Sequence, residues 1–255
     1  MSYEHIATRR LGDAVLEVAF DRPSAKNALT LAMYTALTEI LADAERDDSI
    51  RVVVLKGQGG NFTSGNDLND FMQAPPQPGE ESPVFGFLRA IVAFEKPLVA
   101  AVDGWAIGIG VTMLLHCDLV YAAKDAKLQM PFVNLAVVPE GASSLLLPRL
   151  IGHQRAAELL YFGERFSGEH AHQLGLVNEV FEAEALFEAV AERAMRLAEK
   201  PPLALRESKR LLRRADMQAV NAALEAEGRV FIERLASPEF AEAISAFFEK
   251  RKPNF

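Results

Sequence analysis

Glu140 is a lone carboxylate in Val137-Val138-Pro139-Glu140-Gly141-Ala142, set among apolar and small residues where a helix should begin. As a first-turn glutamate it does no more than favour the helix macrodipole. As a general base it gains from both sides of its setting. Apolar neighbours raise its pKa and a helix terminus lowers it, leaving it ionised yet basic. Two small-residue turns offer the complementary half of such chemistry, Thr63-Ser64-Gly65-Asn66-Asp67 and Ala106-Ile107-Gly108-Ile109-Gly110. Each follows an expected strand, directly or after a short loop, and each leads toward an expected helix. Backbone N–H groups at such places point outward and unpaired, and two that converge make an oxyanion hole. The plainer alternative is that Gly108 and Gly110 permit close helix packing and that Asn66 or Asp67 caps a helix.

Other chemistries fit poorly. Gly57-Gln58-Gly59-Gly60 follows a strand, but NFTSGND after it does not complete a dinucleotide fingerprint, and no helix opens there. There is no P-loop signature and no nucleophile elbow around Ser143 and Ser144. His116 reads as a core histidine, and His170 and His172 as surface residues behind an N-cap at Ser167. A single cysteine, Cys117, excludes an internal disulfide and a thiolate zinc site. The net charge of −8 argues against non-specific nucleic-acid binding. The run Lys209–Arg214 is expected to be a solvated helix face. The most apolar stretch, Gly104–Leu115, falls short of the roughly 20 residues of a bilayer span. The termini carry no apolar leader, prenylation box or Ser-Lys-Leu address, and the expectation is a cytoplasmic protein without membrane association.

The elements that must hold these groups follow from pattern. Ala14–Phe20, Val52–Leu55, Leu98–Val102, Leu119–Ala122 and Lys127–Met130 read as strands. Thr30 reads as an N-cap, with Leu31, Tyr34, Leu37 and Leu41 at helical spacing behind it. AIGIGVTMLLH reads as a closely packed helix, and Pro139-Glu140 as the start of another. Ala74–Ser82, rich in proline and glycine, reads as a loop. From Ala185 onward the chain reads as helices broken by Pro201-Pro202 and Pro238. The class is α/β with a helical C-terminal part. Pattern alone does not separate a doubly wound sheet from a spiral of ββα turns.

Taken in order, SAKNALT, FTSGNDL, AVDGWAIGIGVTMLLHCDLVYAA, PEGASS and EKRKPNF give a chain that resembles the crotonase superfamily of acyl-CoA enzymes, from Arg22-Pro23 to Phe255. The resemblance implies a crotonase-like ββα spiral core over residues 1–195 and a helical C-terminal trimerisation region over 196–255. It implies an acyl-CoA thioester as substrate, no separate cofactor, no metal, and a homotrimer or dimer of trimers.

It also implies that the oxyanion donors are the N–H groups of Asn66 and Ile109. The two glutamates of a hydratase correspond to Thr112 and Phe132, neither of which can move a proton as a carboxylate does. The Pro-Glu-Gly motif with Ser-Gly-Asn-Asp-Leu resembles instead the peroxisomal-type Δ3,Δ2-enoyl-CoA isomerase branch, with Glu140 as catalytic base. Ser24, Lys26, Ala28, Ser64, Gly65, Asp67 and Leu68 correspond to CoA-facing positions, and Phe248 and Lys250 to the nucleotide end. The acyl end falls to Phe71, Met72, Phe85, Phe87 and Leu88. The competing readings are another crotonase reaction (weak hydration, thioester hydrolysis or decarboxylation) and a non-catalytic acyl-CoA-binding protein.

Overall fold

The structure is a computed structural model that describes residues 3–73, 75–76 and 82–255. The expected loop over Ala74–Ser82 therefore lies largely outside the described residues. The chain opens with β1 (Ile6–Leu11) and β2 (Val15–Phe20), then α1 (Leu31–Arg46), β3 (Val52–Gly57), α2 (Leu68–Gln73) and α3 (Pro83–Ala93). Next come β4 (Leu98–Val102), β5 (Trp105–Ile107), α4 (Ile109–Thr112), β6 (Leu119–Ala123) and β7 (Lys127–Gln129). After them stand α5 (Ser143–Ile151), α6 (His153–Phe162), β8 (Phe166–Ser167), α7 (Gly168–Gln173) and β9 (Glu179–Phe181). Four helices close the chain: α8 (Ala183–Ala198), α9 (Pro202–Arg214), α10 (Met217–Leu235) and α11 (Pro238–Glu249).

Local chemistry explains most of the boundaries. The Thr30 hydroxyl accepts from Met33 N–H and opens α1, which buries Tyr34, Leu37 and Leu41 along one stripe. Ser167 caps α7 and Ser237 caps α11 in the same way. Prolines occupy the first turns of α3, α9 and α11, where a missing N–H costs nothing. Strands β3 and β4 are buried along their whole length, as parallel strands covered on both faces should be.

Two sheets form. The larger runs β1-β2-β3-β4-β6-β9, antiparallel only between β1 and β2, and the smaller runs β5-β7-β8. The chain passes from the large sheet to the small one twice, from β4 into β5 and from β6 into β7. Isolated parallel bridges, Leu29 to Asn66 and Thr63 to Ala106, extend the small-sheet side to the segments after β2 and β3. Four successive turns thus place one strand on each of two faces before going on, which is a ββα spiral and not a doubly wound sheet.

Three expectations need correction. AIGIGVTMLLH is not one helix: it is β5, the single turn α4 and a 3-10 turn over Met113–His116, because Ala106 is drawn into the small sheet. Glu140 is not in a helix first turn, since α5 begins only at Ser143 after Gly141 and Ala142 adopt left-handed φ values of 73° and 56°. The Lys209–Arg214 run is not simply a solvated face. Lys209 is buried and donates to Lys96 O at 2.7 Å and Asp118 Oδ2 at 2.8 Å, and Arg213 donates to the His116 carbonyl. These cations tie α9 to the core, while Leu211 and Leu212 face outward. No helix among the described residues is long and apolar enough to cross a membrane.

Candidate active site

Two backbone segments come together where the small sheet is extended. Thr63 N–H donates to Trp105 O at 2.8 Å, and Ile107 N–H donates to Thr63 O at 3.0 Å. Beyond that bridge lie Ser64-Gly65-Asn66 on one side and Gly108-Ile109-Gly110 on the other. Their approach is close enough to require glycine. A Cβ on Gly65, whose φ is +89°, would stand 2.9 Å from Ile107 O, and one on Gly110 would stand 2.6 Å from Thr63 Cγ2. The flanking N–H groups of Leu29 and Asp67 are used in the parallel bridge. The Asn66 N–H finds no acceptor among the described residues, nor does that of Ile109 at the first position of α4. Both members of the expected pair are therefore left without a partner in the fold among the described residues.

A second layer fixes the Asn66 turn. The Tyr34 hydroxyl donates to Asn66 Oδ1 from the buried face of α1. Thr63 Oγ1 donates to Asn27 O at 2.6 Å, and Ser64 Oγ donates to Ala25 O at 3.1 Å. These bonds zip the segment bearing Ser24, Lys26 and Ala28 onto the one bearing Ser64, Gly65, Asp67 and Leu68. The Asp67 carboxylate is committed to structure: it takes Arg22 Nη1 at 2.5 Å and caps α2 through the N–H groups of Asn69 and Asp70. Burial alone would raise the Asp67 carboxyl, but Arg22 and those N–H groups outweigh it and hold the pKa below the usual carboxylate range.

Glu140 lies on the turn between Pro139 and α5, only 4% exposed. The Thr112 hydroxyl donates to its Oε1 at 2.6 Å, while Oε2 is buried without a partner among the described residues. Burial pushes its pKa up to about 7, against the lowering pull of the Thr112 hydrogen bond and with a further push from the negative charge of Glu227. The same carboxylate also helps to hold the Tyr34 phenol well above its ordinary pKa, after burial. Glu140, Thr112, Tyr34 and Asn66 thus form one cluster. Thr112 and Leu88 pack against Gly141, and the buried Phe132 ring lies beside Gly108. His116 Nε2 meets Gly141 O at 2.7 Å. Burial draws the pKa of His116 down to about 4, with Arg213 and Lys209 adding to the effect, so it is a neutral donor that steadies the Glu140 turn.

The remaining expected positions are more scattered. Phe87 is buried with its ring centroid 5.7 Å from that of Tyr34, Phe85 packs beside Gly228 of α10, and Met72 is exposed. The Phe71 side chain lies outside the described residues. Phe248 and Lys250 sit at the exposed end of α11, and no contact joins them to the cluster among the described residues. Lys26, by contrast, is joined by residues that sequence reasoning missed. Its Nζ lies 5.2 Å from the Trp105 ring centroid, where Lys127 at 5.3 Å and Arg165 at 4.6 Å also converge. The two cations are separated in sequence from Trp105, and only the small sheet brings them to it. The part played by Tyr34 was equally invisible, since it acts through a bond to a distant segment.

With this geometry in view, comparison with known proteins is informative. The profile of the family described as enoyl-CoA hydratase/isomerase matches residues 10–255. The human protein named enoyl-CoA delta isomerase 2 is 36% identical over 94% of this chain, which spans 62% of that protein's length. The Escherichia coli protein named 2,3-dehydroadipyl-CoA hydratase is 34% identical over 94% of each chain. The crystal structure of an enoyl-CoA hydratase/isomerase from Pseudoalteromonas atlantica superposes with a TM-score of 0.94 at 43% identity, covering 99% of this chain and 100% of its own. Overall similarity of this kind runs equally to isomerases and hydratases, so the choice between the two chemistries falls to the site.

Proposed function

The chain belongs to the enoyl-CoA hydratase/isomerase family, and within it we propose an enoyl-CoA isomerase that moves a double bond from C3 to C2 of an acyl-CoA. The observation that carries this reading is the buried carboxyl of Glu140, with one oxygen held by Thr112 and the other unpartnered. Hydration needs two proton-transfer groups on one water, and the two positions where the family's hydratases carry them hold Thr112 and the Phe132 ring. A shift of a double bond needs only one.

In this reading the thioester oxygen rests on the N–H groups of Asn66 and Ile109. Glu140 Oε2 takes the C2 proton, which is acidified by the thioester and the adjacent double bond, and the electron pair moves into a dienolate whose charge sits on that oxygen. The resulting carboxylic acid returns the proton to C4, the double bond settles between C2 and C3, and Glu140 is again a carboxylate. Each donor of such a hole contributes about 3 kcal/mol at the transition state. The cations around Trp105 would take CoA phosphates. We extend the proposal to a homotrimer or dimer of trimers built through the C-terminal helices, where Leu203, Leu211 and Leu212 on α9 offer exposed apolar surface.

The test uses 3-hexenoyl-CoA. The purified protein should form conjugated trans-2-hexenoyl-CoA, and Glu140→Gln should lower kcat by at least about a thousandfold, the scale set by loss of the general base. A fully active Gln variant removes Glu140 from the reaction. Turnover of 2-enoyl-CoA to a hydroxyacyl product at a comparable rate would favour the hydratase reading.

A further inference from the structure

The turn that carries Glu140 is held from the C-terminal helices as well as from the core. Glu227, midway along α10 and only 7% exposed, reaches across to the start of α5. Its Oε2 accepts from Ala142 N–H at 2.6 Å, and its Oε1 accepts from Ser144 N–H at 2.8 Å and from the Ser144 hydroxyl. Burial raises the Glu227 carboxyl above its ordinary range, and the donors from Ser144 and Ala142 on both oxygens pull it back toward the ionised form. The donors that meet this carboxylate, two N–H groups and a hydroxyl, all stand at the N-terminus of α5. Gly141 O, one residue earlier, is held by His116. The left-handed pair Gly141-Ala142 is therefore pinned on one side by the core and on the other by α10.

We propose that Glu227 is a positioning residue for the reaction assigned above to Glu140: it clamps the Pro139–Ser144 turn and sets a second negative charge behind the base. The proposal rests on Glu140 being that base. The groups that face Glu140 are Thr112 from α4, Tyr34 from α1 and Glu227 from α10, with His116 on its neighbour. Of these, Glu227 alone brings a formal charge, and that charge raises the proton affinity of Glu140. A glutamate that merely capped α5 would, on substitution, lower stability and leave kcat of the folded protein unchanged.

The experiment measures kcat and KM on 3-hexenoyl-CoA from pH 5 to 9 for wild type, Glu227→Gln, Glu227→Asp and Glu140→Gln. Glu227→Gln should keep KM within about twofold, lower kcat roughly tenfold or more, and move the acid limb to lower pH, because a neighbouring negative charge is gone. Glu227→Asp keeps the charge and shortens the reach, so kcat should fall with the acid limb unmoved. If Glu227→Gln does not fold, the Asp variant carries the test, and wild-type kcat in it overturns the clamp. Wild-type kcat and an unmoved limb in a folded Gln variant overturn the whole inference. An inactive Glu140→Gln beside an unaltered Glu227→Gln would leave the isomerase reading standing and remove only this one. An active Glu140→Gln would remove the reading itself.

Discussion

A carboxyl group that takes a proton at one carbon and returns it two carbons away works best when its two protonation states lie close in energy. Glu140, pushed up to about 7 by burial, meets that condition near neutral pH. The base form must be ionised, so kcat/KM should rise through an acid limb near pH 7. Thr112→Val keeps the shape of the side chain but removes the hydrogen bond that favours the charged form. The limb should then move to higher pH and the rate at pH 6.5 should fall, as initial rates across pH 5–9 will show; an unmoved limb would mean that Thr112 does not tune the base. The sign for stability follows from the same group. Its folded pKa lies above the ordinary 4.5, so the folded state gains a cost as pH rises from about 4.5 to about 7, and bears it in full above that. The apolar neighbours of Glu140 marked it in the chain as a candidate base, beside the plainer reading of a first-turn glutamate. Thr112, 28 residues away, carries no local sign of the bond it makes.

Elements built from local rules were legible, and elements built from distant pairing were not. β2, β3, β4, β6 and β7 announce themselves as runs of β-formers, α1 as a capping hydroxyl before a buried stripe, and α7 by its N-cap at Ser167. β1 escaped notice because IATRRL is an edge strand with mostly outward polar residues, and β5 because its three residues lie in a glycine-rich stretch that resembles a helix. α9 misled in a different way: its cations at 209 and 213 face the core, since Lys96 O, Asp118 and the His116 carbonyl wait there to receive them. The two small-residue turns were legible as a pattern, but their approach to each other depends on two bridges between segments far apart in the chain. That dependence can be tested at Gly65. In Gly65→Ala the added Cβ meets Ile107 O at 2.9 Å in a backbone with φ +89°, so the two segments must part. We expect kcat to fall by about 10²–10³, the cost of one lost oxyanion donor, with KM changed far less. Unchanged kcat in a folded variant would show that the two N–H groups do not hold the reacting oxygen.

At the scale of the whole molecule the charge distribution carries information that the net charge of −8 conceals. An acidic surface repels an anionic thioester at long range, yet Lys26, Lys127 and Arg165 gather around Trp105 at the edge of the small sheet. That edge is joined to the Ser64-Gly65-Asn66 turn, because Trp105 O receives Thr63 N–H. A ligand whose thioester oxygen rests on Asn66 and Ile109 would thus find its cationic contacts along the same strand. Three exposed cations have little reason to share one aromatic face for stability, since exposed ion–aromatic contacts are worth only about 0.5–1 kcal/mol. They do have reason to share it for phosphate, whose attraction to a cluster falls with salt over a Debye length of about 10 Å at 0.1 M. Replacing Lys127 and Arg165 together by Ala should therefore raise KM for an acyl-CoA about tenfold at low ionic strength, with kcat within about twofold of wild type. Added salt should raise the wild-type KM and narrow the gap between the two proteins. An acyl-pantetheine thioester, which lacks the nucleotide phosphates, should show neither effect. Equal sensitivity of the truncated and complete thioesters to the substitution would mean that the cluster acts on the fold and not on the nucleotide.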